Sequence, residues 1–178
     1  MIEAPTRRRL IGQSIYVCTA LLLLFLRLLP LHPGAVTWPG PDLLLCLTLA
    51  WVLRRPEQVP VVLIAAVFLI EDVLLQRPIG LWAAIAVLGT EAARHREVRW
   101  REHAFMVEWL RVGVLIAVMI LAQRIAMALF VLPLPALGQT MLQLLATVAA
   151  YPPVVLAGHL LFGLRRGTPG DSDAMGYR

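Results

Sequence analysis

The chain has 178 residues, 60% of them hydrophobic, and a mean hydropathy of +0.78. Soluble domains are typically about 45–50% apolar, so the composition excludes an ordinary soluble protein and leaves no length for a separate soluble catalytic domain. The formal net charge of +5 is carried by arginine without any lysine. These arginines stand in short loops beside apolar segments, where they orient a membrane protein and do not point to nucleic acid.

Six apolar segments are expected in chain order. The first, about Leu10 to Leu29, follows the basic start "RRR". It is longer than the roughly 7–15-residue core of a signal peptide and lacks an A-x-A cleavage site, so it reads as an uncleaved first helix. The Pro/Gly-rich loop "PLHPGAVTWPGP" leads to a second segment, about Asp42 to Leu53, which ends at "RRPE". A third, about Val59 to Leu75, turns through "QRPIG" into a fourth, about Ile79 to Ala93. The charged stretch "RHREVRWREH" is expected to be a loop before the fifth segment, about Ala104 to Leu132. After "PLPALG" a sixth segment runs from about Thr140 to Leu164. Residues 1–166 thus form one all-α membrane domain, a compact bundle of six transmembrane helices, and 167–178 read as a polar, disordered cytoplasmic tail.

The arginines set the orientation. With the N-terminus inside, Arg7, Arg8, Arg9, Arg54, Arg55, Arg94, Arg96, Arg99 and Arg101 fall on the cytoplasmic side, as do Arg165, Arg166 and Arg178. Arg77 alone falls in an outer loop, and Arg27, Arg111 and Arg124 lie within segments. The positive-inside bias therefore gives N-in, C-in topology with an even number of helices. Crossing a hydrocarbon core of about 30 Å takes roughly 20 helical residues, so the second segment is short and the third and fourth are marginal. Tight hairpins, sharpened by Pro39, Pro41, Pro56, Pro60 and Pro78, follow.

The sequence carries no recognisable motif for chemistry. Ser14 and Ser172 lack a G-x-S-x-G setting, and there is no H-E-x-x-H, C-x-x-C or phosphate-cradling glycine loop. His32, His95, His103 and His159 are scattered, and Cys18 and Cys46 read as buried free thiols. No enzymatic activity, cofactor or metal is expected.

The intramembrane charges carry the remaining signal. Glu71 and Asp72 are neighbours inside the third segment, in "FLIEDVLLQRPIG", where a charge facing lipid costs several kcal/mol or more. Adjacent helical residues point about 100° apart, so both acids should enter the bundle towards different partners. Asp72 is expected to face Arg27 or Arg124 in the outer half. Glu108 and Arg111, three apart, are expected to pair near the inner surface, joined by Glu91. A proton or ion relay along Glu71, Asp72 and Glu91 is the functional alternative to this pairing.

The stretch "PGPDLLLCLTLAWVLRRPE…VFLIEDVLLQRPIGLWAAIAVL" resembles the rod shape-determining protein MreD family. The likeness rests on a proline-marked entry to the second helix and on an Asp followed eight residues later by Gly. Here these are Asp72 and Gly80, with Pro78 and Ile79 in the turn between helices. The proline of the family's last helix is matched by Pro152 or Pro153 in "YPPVVLAGHLLFGLRR". The resemblance implies a non-enzymatic inner-membrane component of the bacterial cell-elongation machinery, without a cofactor. It implies an MreC-type bitopic partner and, through it, MreB filaments, a RodA-type glycosyltransferase and a class B penicillin-binding protein. The family also resembles in fold the substrate-binding membrane subunits of energy-coupling-factor transporters, which makes a solute-binding subunit the alternative.

Overall fold

A computed structural model of the chain describes residues 4–29, 40–100 and 105–162, with 4–6, 8 and 96–100 described in backbone alone. The described residues form six α-helices and one short 3-10 turn, with no strand among them. The helices are α1 (Ala4–Leu28), α2 (Leu43–Val52), α3 (Val61–Leu74), α4 (Leu81–Trp100), α5 (Phe105–Leu129) and α6 (Leu137–Phe162); the turn is Pro56–Gln58. Arg9–Leu28, Phe105–Leu129 and Leu137–Phe162 are long and apolar enough to cross a membrane. The expected tail 167–178 and most of the Pro/Gly-rich loop lie outside the described residues.

The sequence of α2 is apolar on every face, and such a helix is stable only when surrounded. Nine of its ten residues are buried, and it packs against α1, α4 and α6. Asp42 starts it as N-cap, accepting the Leu45 N–H at 3.0 Å. Tyr16 of α1 shares a hydrogen bond of 2.9 Å with Thr48 and stands edge-on to Trp51 at 5.6 Å between ring centroids. Phe162 of α6 also packs on Trp51, at 5.3 Å. The Trp51 indole N–H donates to the Gln58 side-chain carbonyl at 3.1 Å, which fastens the turn beneath α2.

Helix direction alternates through the bundle. The start of α1, the end of α2, the turn and the end of α6 meet at one end, where Ile11, Gly12, Trp51, Gln58 and Phe162 line one cavity. Arg94 near the end of α4 reaches Val59, and Arg54 after α2 reaches Glu108 at the start of α5. This is called the proximal end below. Arg27, Asp42, Glu71 and Gly80 gather at the opposite, distal end.

Two helices close on left-handed residues. Gln76 (φ 52°) and Val131 (φ 54°) follow α3 and α5, and the N–H groups of Arg77 and Leu132 return to the carbonyls of Asp72 and Met127 at 2.9 Å each. This double-bonded C-terminal cap usually takes glycine at the left-handed position. Inside α6, Pro152 lacks the N–H that would bind the Val148 carbonyl. The Trp109 indole of α5 donates to that carbonyl at 2.9 Å, so the acceptor that Pro152 frees is taken.

Three expectations are corrected. The charged stretch from Arg94 is helical as far as it is described: α4 continues to Trp100, because the run lacks the Pro and Gly that would break a helix. α6 begins at Leu137, ahead of Thr140. Cys18 is exposed on α1, and only Cys46 is buried.

Candidate functional site

Glu71 and Asp72, both buried at the end of α3, divide their attention. The Glu71 carboxylate turns to α1, where Arg27 Nη1 lies 2.5 Å from its Oε1. The same guanidinium nitrogen stands 3.8 Å from Asp42 Oδ1 at the N-cap of α2. Arg77 Nη1, from the turn after α3, approaches Glu71 Oε1 to 3.7 Å. Glu71 therefore holds α1, α2, α3 and the following turn in one ionic cluster.

Asp72 does not face Arg27 or Arg124; that expectation is corrected. Its Oδ2 accepts the backbone N–H of Gly80 at 3.0 Å and of Ala83 at 3.2 Å. The physical reason is proximity. The first amides of α4 have no partners in their own helix, and a carboxylate eight residues back reaches them across the turn. Gly80 has φ +84°, a conformation that L residues with a Cβ rarely adopt, so the turn needs glycine there. Pro78 contributes its carbonyl to the Leu81 N–H at 3.1 Å. The acid and glycine singled out in sequence are thus two halves of one hairpin clasp.

Arg124 joins α5 to α6, donating to the Pro135 carbonyl at 3.0 Å and to Thr140 Oγ1 at 2.6 Å.

At the proximal end Glu108 Oε1 receives Arg54 Nη2 at 3.1 Å and the Tyr151 hydroxyl at 2.7 Å. Arg54 turns inward because its stem lies along α2, where its Nη1 also meets the Ala50 carbonyl at 3.2 Å. Three helices (α2, α5 and α6) meet at that carboxylate. Tyr151 precedes Pro152 directly, so the proline pair of α6 sits against this junction. Glu91 does not join Glu108: it pairs with Arg94 one turn on, at 2.9 Å. Arg94 also donates to the Pro56 and Val59 carbonyls at 2.9 and 2.6 Å, clamping the proximal turn. Arg111 borders an apolar cavity of about 400 Å³ between α4 and α5, with Ala93, Leu110 and Val114.

Sequence reading missed Arg54, Tyr151, Arg94 and Trp109 as structural partners. A usable signal existed for one of them: a proline inside an apolar helix frees a carbonyl, which demands a donor such as a tryptophan on a neighbouring helix. Among the described residues no group of three His, Cys, Asp or Glu is placed to hold a metal ion. The clasp, the ionic cluster and the three-helix junction position helices. Comparison with known protein families, with curated proteins and with solved structures found no match.

Proposed function

We propose that the chain is a six-span scaffold of the bacterial inner membrane, with both termini cytoplasmic, acting in the cell-elongation complex in the manner of MreD. Its task is contact: it binds an MreC-type bitopic protein and through it serves MreB filaments, a RodA-type glycosyltransferase and a class B penicillin-binding protein. The observation that carries this reading is the grip of Asp72 on the Gly80 N–H. These are the two residues on which the resemblance chiefly rests, and they are joined in a hairpin clasp between α3 and α4. The proximal end carries Arg54, Arg55 and Arg94, which accords with a cytoplasmic position under the positive-inside rule. The shorter helices are accommodated by burial within the bundle and by local thinning of the bilayer.

Purification of the tagged full chain from its native membrane tests the reading. An MreC-type protein should co-purify, and Asp72→Ala should weaken its recovery and disturb rod shape. If complexes stay intact while uptake of a solute is lost, the chain is a transporter subunit instead. Reporter fusions after Arg166 should read as cytoplasmic and one near Trp38 as external; an external C-terminus overturns the six-span topology.

A further inference from the structure

Two of the distal turns differ in chemistry. The turn between α3 and α4 carries Arg77, whereas the one between α5 and α6 reads "LFVLPLPALG". No charged residue occurs from Ile125 to Leu164. Val131 at its tip is 91% exposed and Phe130 67%, with Leu129, Leu134 and Leu137 also exposed. A water-facing loop of this composition would hold a large unshielded apolar surface.

The apolar surface does not begin at the tip. Along α5 the exposed side chains Leu110, Val114, Val118, Leu121, Ile125 and Leu129 follow one another at helical spacing and run straight into it. From Leu110 to Leu129 this stripe is about 29 Å long, which matches the roughly 30 Å hydrocarbon core. Phe130, Val131 and Leu134 then lie just beyond the core, at the depth of the lipid headgroups. Each position of the stripe carries a large aliphatic side chain. Helices that pack on helices in membranes favour small residues at the contact, and this chain does so elsewhere. Gly89 of α4 sits against Met119, where a Cβ would lie 2.5 Å from the sulfur, and Gly113 of α5 sits against Val148.

The backbone of the tip suits the same depth. Pro133 and Pro135 bring no N–H, the Leu132 N–H is bound to Met127, and the Pro135 carbonyl is taken by Arg124. The interface still offers water to the other backbone groups, so a non-helical segment can enter it without the cost it would meet in the core.

We infer that the α5–α6 tip is a membrane anchor that dips Phe130, Val131 and Leu134 into the headgroup–acyl boundary of the distal leaflet. Its partner is lipid, and the neighbouring stripe of α5 is the lipid-facing wall that leads to it. The inference rests on the membrane-spanning reading but not on the elongation partners.

The test uses the full chain, purified alone and reconstituted in phosphatidylcholine–phosphatidylglycerol vesicles. An environment-sensitive fluorophore is placed on Val131→Cys or, separately, Leu134→Cys, in a Cys18→Ala/Cys46→Ala background. The expected result at both sites is blue-shifted emission that is lost when spin-labelled lipid is present and kept when aqueous iodide is added. Quenching by iodide but not by spin-labelled lipid places the tip in water and overturns the inference. Protection from both quenchers means that protein, a second copy of this chain, covers the tip, and overturns it as well. No partner is present, so a failure here is separable from failure of the scaffold reading.

Discussion

At the distal end, Arg27 and Arg77 keep 28% and 22% of their side chains exposed while they hold Glu71. At the proximal end, Arg54 and Glu108 each keep only 5%. Both layers tie several helices together through one carboxylate, yet they answer differently to loss of a partner. A distal arginine can swing its head towards the interface along a flexible stem. The proximal pair has no such exit, and the Tyr151 hydroxyl donates to the same carboxylate oxygen that Arg54 holds. Exposure of the cation, more than the number of contacts, decides how much each junction is worth.

The sharpest way to break the comparison is Arg54→Ala. It removes the Arg54 guanidinium from the buried Glu108 carboxylate, and should cost about 3–5 kcal/mol, the usual result of removing one partner of a buried pair. Thermal unfolding in detergent should show the largest drop of the series, and Arg54→Met combined with Glu108→Gln should recover part of it. The matching distal change, Glu71→Gln, should cost less, about 1–3 kcal/mol, because both arginines retain access to water. Equal losses at the two ends would remove the distinction drawn here.

Asp72 sharpens it further. A clasp made of hydrogen bonds to amides asks only for an acceptor, and Asn serves nearly as well as Asp at helix starts. Asp72→Asn should therefore be nearly silent in the same assay, whereas Asp72→Ala should lose about 0.5–2 kcal/mol. A large effect of Asn would mean that the charge itself is needed. The smallest expected change is a gain. Gln76→Gly relieves a left-handed residue at the end of α3 and should raise stability by up to about 1 kcal/mol, net of the entropy glycine loses on folding.

Helix placement was legible in the sequence because apolar runs and proline boundaries report on the chain's own local preferences. The D-x7-G clasp was legible as a pair of residues, though not as a bond: spacing along the chain gave Asp72 a depth and left its direction open. Direction failed more widely. Arg54 looked like a solvated loop residue, and only the packing of α2 against α4 and α6 turns it towards Glu108. Arg27 met Glu71 where Asp72 was expected, since the azimuth of α3 is set by its neighbours. Tyr151 and Trp109 carry no charge, so a search for ionic partners passed over them. Charge pairing inside a bundle is a property of tertiary neighbours, and one sequence does not contain them.

The brevity of α2 bears on how the protein is made. Ten helical residues extend about 15 Å, half of the hydrocarbon thickness. With nine of them enclosed by protein, α2 has almost no surface to offer to lipid. It cannot settle in the bilayer as an independent segment released from the insertion machinery. It must wait for α4 and α6, which wall it in, although both are synthesised later. The central helix of the finished bundle is thus among the last to reach its final environment, and a nascent chain stopped before α6 leaves it uncovered.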